Sequence, residues 1–150
     1  MKQDSKRLVI LMADDDEDDC LLIREAFEET GFSGVLRVVE DGEQLMDYLH
    51  HRGNYTDASR FPCPDIILLD LNMPRMDGRQ ALKEIKADPA LRRIPVVIFT
   101  TSSEERDIIL GYESGASSFI TKPASFEDWG NMVKAITLYW FVFSTLPPKK

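Results

Sequence analysis

The clearest indication of the fold comes from one stretch in the middle of the chain, Pro64-Asp65-Ile66-Ile67-Leu68-Leu69-Asp70-Leu71-Asn72-Met73-Pro74-Arg75-Met76-Asp77-Gly78. Its four apolar residues, Ile66 to Leu69, are too few for a helix and lack a polar face, which is typical of a strand buried on both faces of a parallel sheet. Turn-forming residues follow Asp70, where the strand ends. Because open α/β sheets bind ligands at the carboxyl ends of their strands, Asp70 is a candidate site residue. A helix-capping or loop aspartate is the plainer interpretation.

Composition limits the class of protein. The 150 residues fit one domain, and 43% hydrophobic with 29% charged residues is ordinary for a globular protein. The net charge of −8 argues against nucleic-acid binding, which needs a basic face. Cys20 and Cys63 form no close-spaced motif, so neither a disulfide framework nor a zinc site is expected. No apolar run approaches the length of a membrane span, and we expect a cytoplasmic protein with no membrane association.

The rest of the chain alternates short apolar runs with amphipathic segments. Predicted strands cover residues 8–13, 35–39, 66–69, 95–99 and 118–121. Capping residues indicate the starts of four of the helices, at Asp16, Asp41, Ser102 with Glu105, and Ser125. Right-handed crossovers turn five β-α units into a doubly wound parallel sheet with helices on both faces, in the flavodoxin-like order 2-1-3-4-5.

That strand order places two acidic strand ends side by side, because Asp14 and Asp15 follow the first strand and Asp70 follows the third. Each pair of carboxylates ~4 Å apart costs roughly 4 kcal/mol at an effective dielectric constant of about 20. We therefore expect either raised pKa values or a bound cation. Oxygen ligands without histidine or cysteine favour Mg²⁺ over zinc. Mg²⁺ often binds phosphate, which indicates phosphoryl transfer with Asp70 as nucleophile.

Two further strand ends border the same crevice. Thr100 ends the fourth strand and could hydrogen-bond a phosphate oxygen, and Lys122 ends the fifth strand and could supply a second cation. Taken singly, each residue has a plainer interpretation, which is a helix cap for Thr100 and a solvated charge for Lys122. The coincidence of acids, a hydroxyl and an ammonium at neighbouring strand ends favours a phosphoryl-transfer site.

These motifs resemble the receiver domain of the two-component response-regulator family over nearly the whole chain. The matching motifs are Asp14-Asp15, Asp70 within DLNMPRMDG, Thr100 after PVVIF, Phe119 within GASSFITKP, and Lys122-Pro123. The resemblance implies that Asp70 is the phospho-acceptor. It also implies that Asp15, Asp70 and the backbone carbonyl of Asn72 bind Mg²⁺ directly, with Asp14 supporting the ion through water.

The resemblance further implies a conformational switch. Thr100 would supply the switch hydroxyl, Lys122 would pair with the phosphate, and Phe119 would be the aromatic rotamer switch. The peptide bond between Lys122 and Pro123 corresponds to one that is cis in the family.

Two segments exceed a minimal receiver. The stretch 50–64 is long for an α/β connection and is predicted to extend the second helix before a surface loop. The second segment comprises the aromatic residues 138–143 and the closing TLPP. Together, the two segments resemble the small regulators of cyanobacterial and bacterial phytochrome kinases.

We expect a stand-alone receiver spanning 1–150, with a core of about 7–137 and an aromatic extension of 138–150. It would accept its phosphoryl group from a histidine kinase and signal through protein contacts rather than as an enzyme.

The aromatic segment predicts self-association. Residues 138–143 are apolar on every face, but a helix packed on a sheet buries only one side. Helix 4 adds Ile108, Ile109 and Tyr112, of which only part can face the sheet. We predict a symmetric homodimer through helix 4, strand 5 and helix 5. The alternative is that the TLPP tail folds back over these side chains.

Other functions fit the pattern less well. A haloacid-dehalogenase-type phosphatase also uses a strand-end aspartate with Mg²⁺, but it needs a second acid where Asn72 stands. A calcium-binding loop would need a glycine at the position of Asp19. A flavodoxin would bind the phosphate of its flavin after the first strand, but the six acids there would repel it. A receiver that serves as a phosphorelay intermediate stays open.

Overall fold

The computed structural model describes residues 8–148, so the expected core boundary at residue 7 and the last two residues of the extension lie outside the described residues. Five parallel strands form one sheet in the order β2-β1-β3-β4-β5, which confirms the predicted fold class. The strands are β1 Val9–Ala13, β2 Val35–Val39, β3 Ile66–Leu69, β4 Val96–Thr100 and β5 Ser118–Thr121. The helices are α1 Glu17–Glu29, α2 Gly42–Leu49, α3 Gly78–Ala87, α4 Glu105–Glu113 and α5 Phe126–Leu138. Within this part of the chain, no helix is both long and apolar enough to cross a membrane.

Alternation along the strands divides the core into two layers. In β3, Ile66 and Leu68 belong to the layer built with α1 and α5, whereas Ile67 and Leu69 belong to the layer built with α2 and α3. Both faces of the strand are therefore buried, which is why its sequence is apolar without interruption. The first polar position after this strand, Asp70, emerges at the carboxyl edge of the sheet.

Side-chain caps begin three of the helices where the sequence predicted them. The Asp16 carboxylate accepts from the backbone N–H groups of the first turn of α1, and the Asp41 carboxylate does so at α2. The Ser125 hydroxyl caps α5 in the same way. Each cap satisfies backbone donors that the helix itself leaves unpaired.

The predicted capping box at α4 is wrong. The helix begins at Glu105, and Glu104 stands at the N-cap without a side-chain hydrogen bond. Ser102 does not reach the helix N-terminus as a cap, because its hydroxyl donates to the carboxylate of Asp107 at 2.7 Å.

The predicted extension of α2 is also wrong. The helix ends at Leu49, and His51 has a left-handed backbone with φ of 54°. Residues 50–64 instead fold into a compact loop held by aromatic contacts. The rings of Tyr48, Tyr55 and Phe61 contact one another with centroids 5.0 to 5.8 Å apart, and the Tyr48 hydroxyl donates to the carbonyl of Pro62.

The aromatic segment after α5 continues as a π-helical turn, Tyr139–Phe143. Phe141 stacks on Phe32 with ring centroids 5.7 Å apart, so this ring is covered by its own chain. Val142 is 64% exposed and Phe143 73% exposed, with Leu138 and Tyr139 also exposed. The tail does not cover them, because Pro147 and Pro148 instead line a shallow cavity near Cys63, Pro64 and Arg93.

Candidate functional site

Adjacent strands bring the three predicted acids together. β1 pairs with β3 in a register that sets Ala13 beside Leu69, so the residues that follow both strands meet at the same edge. Each of Asp14, Asp15 and Asp70 contributes one carboxylate oxygen to a group in which the oxygens lie within 4.8 Å of one another. Asp14 and Asp70 are buried and Asp15 is exposed, so the cluster opens to solvent on the Asp15 side.

Lys122 brings its ammonium into this cluster from the end of β5. Its Nζ lies 2.8 Å from Asp14 Oδ2, 2.6 Å from Asp19 Oδ2 and 3.1 Å from Asp70 Oδ2. Only 5% of the lysine side chain is exposed. A buried ammonium surrounded by three carboxylates offsets part of their mutual repulsion.

Asp19 was not predicted as a site residue. In the sequence it is one of six consecutive acids after β1, whereas the structure pairs it with Lys122. The available signal was its place in the first turn of the helix after β1, because that turn starts at the carboxyl edge of the sheet, where Asp14 also lies.

Burial and charge act in opposite directions on these groups. Burial raises the pKa of Asp14 to about 6, although the nearby Lys122 ammonium lowers it in part. Burial by itself would lower the pKa of Lys122, but the contacts with Asp14 and Asp19 outweigh that effect and raise it above its usual range. Lys122 therefore stays charged at neutral pH and remains available to pair with an anion.

The loop after β3 holds Asp70 in place. The Asp70 Oδ1 atom accepts from the backbone N–H of Asn72 at 3.2 Å, which leaves Oδ2 to Lys122. Gly78 lies so close that a Cβ atom there would clash with the carbonyl oxygen of Asp70. The loop can pass this near Asp70 only because position 78 has no side chain.

Thr100 and Phe119 lie on the neighbouring strands β4 and β5. Thr100 is fully buried, and its Oγ1 has no hydrogen-bond partner among residues 8–148. Phe119 is half-buried and packs against the α2/α3 layer of the core, and its backbone N–H donates to the Tyr112 hydroxyl at 3.2 Å. Because buried hydroxyls are usually hydrogen-bonded, the unpaired Thr100 hydroxyl is a candidate for a group that gains a partner when another group binds.

The peptide bond between Lys122 and Pro123 is not cis, as the described residues contain no cis peptide bond. The carbonyl of Pro123 accepts from Trp129 Nε1 at 3.0 Å, which fastens the turn after β5 to α5. The expectation drawn from the resemblance is corrected on this point.

The donor set of the cluster suits a divalent cation. All of its possible ligands are carboxylate oxygens, and neither histidine nor cysteine takes part. Hard divalent ions prefer such ligands, and a double positive charge would offset the repulsion between the acids. Asp14, Asp15 and Asp70 are the residues that could hold the ion.

The chain resembles known signalling proteins over most of its length. Residues 10–134 match the response regulator receiver domain family. Response regulator Rcp1 from Synechocystis is 40% identical over 139 residues, which cover 93% of this chain and 92% of Rcp1. Phosphorylated RcpA, a cyanobacterial phytochrome response regulator, superposes with a TM-score of 0.88 at 40% identity, over 95% of this chain and 100% of RcpA. Mn²⁺-bound Rcp1 superposes with a TM-score of 0.85 at 39% identity, over 94% of this chain and 99% of that one.

Proposed function

The chain belongs to the response regulator receiver family, and on that premise we propose that Asp70 accepts a phosphoryl group from a histidine kinase. The observation that carries the proposal is the position of Asp70, buried at the end of β3 and 3.1 Å from the Lys122 ammonium. The family match does not favour the haloacid-dehalogenase alternative. The side chain at the position where that enzyme needs its general acid is the amide of Asn72.

The proposed reaction is a displacement at phosphorus. A carboxylate oxygen of Asp70 attacks the phosphohistidine, a P–O bond forms, and the P–N bond breaks with its electron pair returning to the imidazole. The Asn72 N–H and the Lys122 Nζ hold the two carboxylate oxygens of Asp70 and so orient the nucleophile. After transfer, Lys122 is close enough to pair with the new phosphoryl oxygens.

We propose that the divalent ion is Mg²⁺, held by Asp15, Asp70 and the backbone carbonyl of Asn72, with Asp14 acting through water. The ion would neutralise negative charge on the transferring group. The oxygen-only cluster supports this assignment. The exposure of Asp15 supports it too, because Mg²⁺ usually keeps several of its waters.

Phosphorylation is proposed to switch the surface formed by α4 and β5. The Thr100 hydroxyl, which has no partner among the described residues, would turn towards the phosphoryl oxygens. Phe119 would then fill the space that Thr100 leaves. This is a two-state element biased by a local change of charge.

The proposed donor is a phytochrome-type histidine kinase, because the cyanobacterial phytochrome response regulator RcpA is 40% identical in sequence to this chain. The exchange would take place in the cytoplasm, where ATP supplies the phosphoryl group. The protein would catalyse only its own phosphorylation and dephosphorylation. Its domain is proposed to have a core of about 7–137 and an aromatic extension of 138–150.

We also propose a homodimer through α4, β5 and α5. Ile109, Leu110 and Tyr112 are about half exposed on α4, and the aromatic segment after α5 exposes a second group of apolar side chains. Exposed apolar side chains of this kind are typical of an interface.

The experiment that tests the function is phosphotransfer from a panel of autophosphorylated histidine kinases, with and without Mg²⁺. A phytochrome-type kinase should transfer its phosphoryl group faster than unrelated kinases, and excess EDTA should stop the transfer. Equal rates from every kinase would contradict the pairing, and unchanged transfer in EDTA would contradict the role of the metal.

A further inference from the structure

An ion pair joins α3 to α4 beside the phosphorylation site. Arg79, in the first turn of α3, donates through Nε to Asp107 Oδ1 at 3.1 Å and through Nη2 to Oδ2 at 3.0 Å. Asp107 lies in the first turn of α4 and is only 5% exposed. Two parallel bonds of this kind fix the orientation of both groups as well as their separation.

The same pair holds one residue from each loop that flanks the site. Ser102, two residues after Thr100, donates its hydroxyl to Asp107 Oδ2 at 2.7 Å. Asn72, two residues after the phospho-acceptor, accepts from Arg79 Nη1 at 3.4 Å. A single ion pair therefore ties the loop between β3 and α3 to the loop between β4 and α4.

Both members of the pair are charged at neutral pH. Hydrogen bonds from Arg79 and Ser102 lower the pKa of Asp107 below its usual range. The hydrogen bonds to Asp107 raise the pKa of Arg79, although partial burial opposes this. The contact is therefore present under the conditions in which phosphotransfer takes place.

The pair has a consequence for Thr100. In the described conformation, the Thr100 Oγ1 atom has no partner among residues 8–148. If the hydroxyl turns towards a phosphoryl group on Asp70, as proposed above, the residues that follow Thr100 in the chain would move with it. Ser102 resists that movement, because its hydroxyl is bonded to a carboxylate that Arg79 holds from another helix.

We propose that Arg79 and Asp107 are positioning residues that hold the loop between β4 and α4 in its resting conformation and oppose closure of Thr100 on the phosphoryl group. The inference rests on the proposed function of Asp70. A contact made in only one of two conformations shifts their populations by the free energy of that contact. Loss of the pair should therefore favour the conformation that binds the phosphoryl group.

The test is the affinity for beryllofluoride, a mimic of the phosphoryl group, in the presence of Mg²⁺ and followed by NMR. Arg79→Gln and Asp107→Asn should bind it about fivefold or more tightly than the wild type. Arg79→Lys keeps the positive charge but cannot form the bidentate contact, so its affinity for beryllofluoride should lie between those of the wild type and Arg79→Gln. Because the two residues act as one pair, the double variant should bind no more tightly than either single variant.

A matched control separates the pair from the general loss of charge. Lys83→Gln removes a positive charge one turn further along α3 and should leave the affinity unchanged. Without beryllofluoride, amide hydrogen exchange in residues 101–104 should be faster in Arg79→Gln and Asp107→Asn but not in Lys83→Gln. This readout reports on the loop itself rather than on the stability of the whole domain.

The outcomes distinguish this inference from the proposed function. A wild type that binds beryllofluoride, with variants that bind it equally or more weakly, would overturn the role of the pair. A wild type that does not bind, or an Asp70→Asn variant that binds as well as the wild type, would instead overturn the role of Asp70. Thermal unfolding of each variant checks that it is folded. If Arg79→Gln or Asp107→Asn does not fold, Arg79→Lys, which is the mildest change, still tests the role of the pair.

Discussion

At the scale of single residues, the site is built from charges that depend on one another. Lys122 lies within 3.1 Å of carboxylate oxygens from three acids, of which Asp14 is almost fully buried. Lys122→Ala should lower the free energy of unfolding by about 3 kcal/mol without divalent ions, because removal of one partner leaves the buried carboxylates uncompensated. Added Mg²⁺ should restore more stability to the variant than it adds to the wild type. Urea unfolding with and without MgCl₂ measures both effects.

The exposed Lys83→Ala provides the control for that experiment. It should change the unfolding free energy by well under about 0.5 kcal/mol, as surface substitutions usually do. If Lys122→Ala were no less stable than Lys83→Ala, the lysine would not compensate the acidic cluster.

A pair of glycines provides a second residue-scale prediction. A Cβ at Gly78 would clash with the carbonyl of Asp70, so Gly78→Ala should lower the free energy of unfolding by about 1–3 kcal/mol and slow phosphorylation by displacing Asp70, the proposed acceptor. A Cβ at Gly130, within α5, meets nothing within 4 Å, so Gly130→Ala should add about 0.5–1 kcal/mol. Thermal unfolding should show a lower unfolding temperature for Gly78→Ala and a higher one for Gly130→Ala. If both variants shifted the unfolding temperature in the same direction, the packing described at Gly78 would be contradicted.

The residues at strand ends could be predicted because their positions depend only on topology. Once the strand order was known, Asp14 and Asp70 had to meet at one edge of the sheet. The pairing of Arg79 with Asp107 could not be read in this way, because it joins residues 28 apart through side chains on two different helices. Sequence periodicity fixes the faces of helices but not the reach of their long side chains.

At the scale of elements, the loop after α2 is a structural addition at the edge of the sheet away from the site. Phe61 contacts the rings of Tyr48 and Tyr55, and the guanidinium groups of Arg37 and Arg60 lie 5.9 and 5.2 Å from its centroid. Phe61→Ala should lower the free energy of unfolding by about 2 kcal/mol, which is less than for a fully buried ring. Phosphorylation should be unaffected, because the loop precedes the amino end of β3 and Asp70 follows its carboxyl end.

Arg60→Ala removes a cation–π contact and a surface charge near Asp57, and it should lower the free energy of unfolding by no more than about 1 kcal/mol. Chemical denaturation of the two variants, together with their phosphorylation rates, tests the assignment. A Phe61→Ala protein with native stability, or with impaired phosphorylation, would show that the loop has another role.

The boundaries of two elements departed from the sequence prediction for local reasons. Ser102 and Glu105 have the spacing of a capping box, but Asp107 is a better partner for the Ser102 hydroxyl once Arg79 holds its carboxylate. The pattern at α2 predicts an extension, but the left-handed backbone at His51 ends the helix. Both outcomes depend on tertiary contacts, which a local pattern does not contain.

At the scale of the whole molecule, the proposed dimer has a direct test. Leu138 and Val142 are 50% and 64% exposed, so Leu138→Glu/Val142→Glu should lower the mass seen by light scattering at micromolar concentration from that of a dimer to that of a monomer. Leu21→Glu provides the control, because Leu21 is 57% exposed on α1, outside the proposed surface. Phe141 is left unchanged because it stacks on Phe32 within its own chain. A wild type that remains monomeric with and without beryllofluoride would contradict the dimer.

The architecture was predictable because its rules act over the whole chain. Five alternating β-α units with right-handed crossovers admit few arrangements, and the observed strand order is the predicted one. The course of the tail was not predictable in this way. Pro147 and Pro148 lie near Cys63 and Pro64, which are distant in sequence and carry no pattern that would indicate the contact.

Phosphorylation of Asp70 is tested most simply by the mass of the intact protein after incubation with Mg²⁺ and acetyl phosphate as a small phosphodonor. The wild type should gain one phosphoryl group that hydroxylamine removes, peptide mapping should place it on Asp70, and EDTA should prevent the gain. Asp70→Asn should gain none while its thermal unfolding stays close to that of the wild type, because the two side chains are similar in size. Equal phosphorylation of the wild type and Asp70→Asn would show that Asp70 is not the acceptor.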